Sequence, residues 1–156
     1  MLMHRTLMLI PLLATLAAGR GVAQGAGVTV RGVRGLSFGT VLPGVPMHTL
    51  RTDPVNSGQF EVRGPPPKLI QITFTLPTVL NGPAGATMTL TFATNDAGFS
   101  AANTIGSQVA FNPNQAFATA LVNNRVGVFL GGTVSPAGVQ PAGSYTGTVV
   151  LSVVVL

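Results

Sequence analysis

Beyond the first 23 residues, the side chains able to donate protons, accept them or bind a hard metal ion are His48, Asp53, Glu61 and Asp96. Glycoside hydrolysis needs two carboxyl groups at a fixed separation, one giving a proton and the other attacking or activating water. Asp53 and Glu61 are the only such pair close in sequence. Glu61, however, alternates with Phe60 and Val62 in a segment with one wet face, which makes it an ordinary exposed strand residue. His48 follows Pro46 and Met47 in turn material, where a histidine is ordinarily solvated. There is no acidic loop of calcium type and no pair of histidines at ligand spacing. Cysteine is absent, which removes thiolate ligands and a Cys nucleophile together. The sequence therefore offers no catalytic, cofactor-binding or metal site, and no enzyme is expected.

The basic residues are equally uninformative as chemistry. Arg31 and Arg34 lie close together and would suit an anionic polymer, but scattered arginines are usually solubilising. No Lys/Arg cluster is interleaved with aromatics, so no nucleic-acid partner is expected.

The start of the chain reads as a secretory signal. Met1–Arg5 is basic, Thr6–Ala18 is apolar apart from Pro11 and Thr15, and Gly21-Val22-Ala23 supplies small residues for cleavage. The apolar run is shorter than the roughly 20 residues a spanning helix needs, so no stable membrane span is expected in the mature chain. Residues 1–23 are read as the signal peptide and 24–156 as a single domain that is secreted to the periplasm, cell surface or medium. Loss of Arg5 and Arg20 leaves six basic residues against three acids, a net charge of +3. With no disulfide available, packing must supply the stability.

Beyond the signal the sequence reads as strands punctuated by turns, and the full chain has 20 Gly, 12 Pro and only 7% charged residues. Val28 and Val30 begin one extended stretch, Leu36–Val41 continues it, and Phe60 and Val62 mark another before Gly64 and three prolines. Ile70, Ile72, Phe74 and Leu76 share one face, as do Met88, Leu90 and Phe92, with Asn81–Gly85 between them as turn material. The spacing predicts an antiparallel hairpin of these two strands. A short strand is expected at Val109–Phe111 and a continuous one over Val126–Val134, whereas Ala116–Val122 has no clear period. Helix is limited to one short turn. Strands of this number and length predict an all-β, immunoglobulin-like antiparallel sandwich. A membrane barrel would want aromatic girdles, and the chain has one Tyr, no Trp and strand faces of Thr and Gln.

Three blocks then carry a resemblance. They are Leu36-Ser37-Phe38-Gly39-Thr40-Val41-Leu42-Pro43-Gly44, Phe60–Pro65 running into Ile72–Pro77, and Phe129–Thr133 followed by Gln140-Pro141-Ala142-Gly143-Ser144-Tyr145-Thr146-Gly147-Thr148. Together they resemble the secreted bacterial domain-of-unknown-function family DUF4402 and, more distantly, spore coat U and chaperone-usher pilin-type domains. The resemblance implies an incomplete or partner-completed immunoglobulin-like sandwich outside the cell, a subunit of a surface fibre, and no chemistry.

The last strand fits that picture. Val149, Leu151, Val153 and Val155 give it one apolar face, while Val150, Val154 and Leu156 make the other apolar too. Such a strand is either covered from within or paired with a donated strand by β-augmentation. Val28, Val30, Val149, Leu151, Val153 and Val155 are therefore the candidate strand-pairing residues, with other copies or other fibre subunits as partners and no cofactor. The expected role is a structural or adhesive cell-surface protein. The alternative is a monomeric module binding carbohydrate or surface polymer, with Phe99, Phe111 and Phe117 as the rings that would stack on sugar. Catalysis would require His48, Asp53 and Glu61 to share a cleft.

Overall fold

Alternating apolar residues make a strand that buries one face, and two such sheets bury their faces against each other. In the computed structural model, which describes residues 10–13 and 27–156, this produces an all-β antiparallel sandwich. The first layer contains β2 (Thr29–Arg34), β5 (Gly58–Arg63), β9 (Ala97–Ser100), β10 (Val109–Phe111) and β12 (Arg125–Leu130), in the order β10-β9-β12-β5-β2. Facing it is a sheet of β6 (Lys68–Thr75), β11 (Phe117–Leu121) and β14 (Val150–Val155), in the order β11-β6-β14. A third sheet holds β4 (Met47–Thr49), β7 (Val79–Asn81), β8 (Thr87–Thr91) and β13 (Gly132–Ser135), in the order β4-β13-β8-β7. Finally, β1 (Ile10–Leu13) pairs with β3 (Ser37–Val41). Apart from Ile10–Leu13, the segment read as a signal peptide lies outside the described residues.

Aromatic rings join the two main layers. Phe60 of β5 meets Phe74 of β6 edge-on at 5.8 Å, Phe74 stacks with Phe111 of β10 at 6.3 Å, and Phe111 stacks with Phe117 of β11 at 4.2 Å. Around them pack Val62, Ile70, Ile72, Leu121, Val126, Val128 and Leu130, all fully buried.

Several sequence expectations are corrected. The strand Lys68–Thr75 does not form a hairpin with Thr87–Thr91: β6 pairs with β11 and β14, while β8 pairs with β7 and β13. The turn at Asn81–Gly85 is real, and it joins β7 to β8 through a 3-10 turn at Pro83–Gly85. Pro77 interrupts the run after Leu76 and, lacking an N–H, cannot continue the ladder. The expected strand Val126–Val134 is two strands that break at Gly131 and enter different sheets. Ala116–Val122, which had no readable period, contains β11. Breaks of this kind also make the strands shorter and more numerous than the sequence suggests.

The last strand, expected either to be covered from within or to be paired with a donated strand, is covered on one face among the described residues. Leu151 and Val153 of β14, with Val149 just before it, are buried, but Val154 is 42% and Leu156 59% exposed. Charge and proline are absent from β14.

Candidate functional site

Immunoglobulin lettering places strands A, B, E and D in one sheet and C, F and G in the other. Here β2, β5, β12 and β9 stand in the A, B, E and D places, with β6 and β14 in those of C and F. Among the described residues no strand pairs with the second edge of β14, where G would lie. β2, the edge strand of the facing sheet, runs beside β14. Two half-paired strands thus flank one seam of the sandwich.

The candidate strand-pairing residues all fall on or just before these two strands. Val28 is 3% exposed and Val30 half-buried against the core; Val149, Leu151 and Val153 are buried, and Val155 is half-buried. Their side chains hold the sandwich together, so the unpaired groups on the outer edges of the two strands are backbone. In β14 that backbone alternates, because its other edge is committed to β6 in a continuous ladder from Val150↔Thr75 to Val155↔Ile70.

The rings considered for sugar stacking face inward. Phe99 and Phe111 are buried, Phe117 is half-buried, and the parallel Phe111–Phe117 pair lies between the layers. A shallow groove of about 270 Å³ lies elsewhere, lined by Leu76, Pro77, Leu90, Phe92 and Asn114 among others, and carries no charged group.

The titratable residues are each engaged in local structure. Asp53 accepts hydrogen bonds from the backbone N–H groups of Val55 and Asn56, both at 2.8 Å, and from the Asn56 side chain at 3.1 Å. Those bonds, the Asn56 N–H foremost, hold its carboxyl below the ordinary value. His48 lies on β4, not in a loop; its Nδ1 is 2.7 Å from Thr133 Oγ1 and its Nε2 3.8 Å from the Asp96 carboxylate. Asp96 in turn accepts from the Ala93 N–H at 2.7 Å. Among the described residues no three His, Cys, Asp or Glu side chains are grouped as a metal ion would require.

Glu61 is the residue that sequence reasoning misplaced. It is 2% exposed, although its strand neighbours Phe60 and Val62 point into the core on the opposite face. Arg63 and Arg125 donate to its two carboxylate oxygens, and Asn103 Nδ2 donates to Oε2 at 3.3 Å. Arg125 stands opposite Arg63 in the β5–β12 ladder, so the two guanidiniums close over the carboxylate from adjacent strands. Asn103 arrives from the loop after β9. No local pattern in the sequence marks that loop as a cover.

Burial raises the pKa of Glu61, and the hydrogen bonds and charges of Arg63 and Arg125 more than offset it, leaving the group below its ordinary value of 4.5. A carboxyl whose folded pKa is depressed contributes stability that is present above its unfolded pKa and lost as pH falls through the folded one. Glu61→Gln is thus expected to be less stable than the parent at about pH 7, with a smaller difference at about pH 3. Urea unfolding of both proteins at the two pH values measures this. The acid titration of Asp53 is common to both and cancels. A gap that stays constant with pH would show that the ion pairs contribute nothing.

The fold and its edges define a class, the all-β antiparallel sandwich with one edge of its F-type strand unpaired among the described residues. Within it, the chain belongs to the family described as Domain of unknown function (DUF4402), whose sequence profile matches residues 14–154. No curated protein matches the chain. Among the described residues, no helix is long and apolar enough to cross a membrane.

Proposed function

We propose that this protein is an exported, non-enzymatic structural or adhesive subunit of the cell surface, assembling by strand pairing with other copies or other fibre subunits. The observation that supports it is the seam between β14 and β2, where one edge of each strand lacks a strand partner among the described residues. A row of unpaired N–H and C=O groups is a template for another strand, and soluble monomers usually guard it with Lys, Pro or a bulge. β14 has none of these guards and is apolar on its outer face at Val154. A donated strand would gain backbone hydrogen bonds along β14 and cover that face. The carbohydrate-binding alternative drew on Phe99, Phe111 and Phe117, which are occupied in the interior.

The mature chain, residues 24–156, is expected to form concentration-dependent oligomers that resist urea, measured by mass across a dilution series. Deleting residues 24–33 would remove Val28 and most of β2 and so threatens the fold itself. Val154→Lys avoids this, since it places a charge on an exposed position of β14, and it is expected to weaken association by roughly tenfold or more while leaving the monomer folded. A parent that stays monomeric at every concentration and unfolds reversibly would end the proposal.

A further inference from the structure

The pairing of β1 with β3 is the feature that the reading above leaves unused. β3 is fixed in the domain: Leu36, Phe38 and Val41 are buried, the Ser37 N–H donates to Asn56 O at 2.8 Å, and Thr49 Oγ1 donates to Ser37 O at 2.8 Å. Among the described residues its only strand partner is β1. The register is antiparallel, Ile10↔Val41, Pro11↔Thr40, Leu12↔Gly39 and Leu13↔Ser37, with Phe38 left over as a bulge. Gly39 accommodates that bulge at φ +64°, a conformation glycine adopts without strain.

Ile10–Leu13 belongs to the apolar run Thr6–Ala18, the segment read as a leader to be removed at Ala23. A strand edge that is satisfied by a removable segment is exposed when the segment goes. Pro11 has no N–H, which makes β1 a poor template for further strands and suits it to end a sheet rather than extend one.

We infer that β3 is a strand-accepting edge capped by the chain's own leader, and that removal of the leader opens it to an apolar strand from a second copy. Residues 10–13 occupy the edge in the precursor. The pairing would keep the precursor from assembling and would tie the onset of assembly to cleavage. This rests on the strand-pairing reading above and on loss of residues 1–23.

Hydrogen exchange at the amides of residues 37–41 tests it, comparing the full chain, made without export so that the leader is retained, with residues 24–156. Exchange in this stretch is expected to be faster by on the order of tenfold or more in the shorter chain, at a dilution where both chains are monomeric. A synthetic peptide of residues 8–15 added to the shorter chain is expected to slow it again, and the same peptide carrying Ile10→Asp and Leu12→Asp is expected not to. Equal exchange in both chains, or no response to the peptide, overturns the inference. So does a shorter chain that fails to fold, because the leader would then be part of the domain and not a cap. Peptide protection in a chain that stays monomeric at every concentration removes the assembly proposal and overturns the inference as to a second copy at β3. Oligomers in which residues 37–41 still exchange freely leave assembly to the β14 seam and overturn the role given to β3.

Discussion

Replacing Tyr145 with alanine is expected to cost about 3–5 kcal/mol of folding stability, the range for removing a large aromatic from a packed core. Tyr145 is fully buried, and it stands outside any regular strand in the segment between β13 and β14. Its hydroxyl donates to Pro141 O at 2.8 Å and accepts from Gln140 Nε2 at 2.7 Å. Gln140 also donates to Thr87 O at 3.1 Å and accepts from the Ala137 N–H at 2.9 Å, so the ring and amide bind the turn at residues 137–145 to β8. The ring lies so close to Gly82 that a Cβ there would come within 2.4 Å of it. One side chain therefore clamps the segment that delivers β14 to its place. Tyr145→Phe should keep the packing and lose the hydroxyl network, at about 1–2 kcal/mol. Urea midpoints of the three proteins, read with their m-values, check the series. An alanine variant within about 1 kcal/mol of the parent would show that the clamp is dispensable.

Gly131→Ala is the second large effect, expected near 3 kcal/mol, toward the upper end of what overpacking usually costs. Gly131 is the break between β12 and β13, where the chain leaves one sheet for another, and its N–H donates to Asp96 O at 2.7 Å. A Cβ at this position would lie 2.4 Å from Thr49 O, 2.7 Å from the Arg51 N and 3.0 Å from the Leu50 carbonyl carbon. All three are backbone atoms, so no rotamer change relieves the clash and the segment before β5 must move. The cost is steric, arising from the close approach of two chain segments. Gly106→Ala and Gly138→Ala, where a Cβ meets nothing within 4 Å, serve as controls and should stay within about 0.5 kcal/mol of the parent. Thermal unfolding of the three variants separates the two behaviours.

These two residues also show what kind of information a sequence carries. Tyr145 lies in the Gln140–Thr148 block, and a tyrosine there reads as a corner residue whose hydroxyl bonds nearby backbone; the bond to Pro141 O is of that kind. Gly131 sits in an apolar run that reads as one strand, and nothing local announces the crossing of residues 49–51 above it. Glu61 fails for a similar reason. The period-two pattern places it correctly on the face away from the core, but burial of that face depends on Asn103 and on arginines from two strands. Phe99 and Phe111 sit in polar, irregular surroundings, and they are buried because β9 and β10 pair and present them to the facing sheet.

By itself the sequence determined the β class, the turn at Asn81–Gly85, the buried faces of Ile70–Phe74 and Met88–Leu90, and the family. All of these follow from side-chain alternation and turn chemistry over a few neighbouring residues, which local order can encode. Only the tertiary structure decided that β6 and β8 join different sheets, that Glu61 is enclosed by Arg63 and Arg125, and that β14 and β2 each keep one edge without a strand partner among the described residues. Those outcomes are set by which distant segments arrive beside a strand. A strand's own residues specify which face it buries, whereas the backbone groups along its two edges are the same in every sequence and carry no mark of the neighbour they will meet.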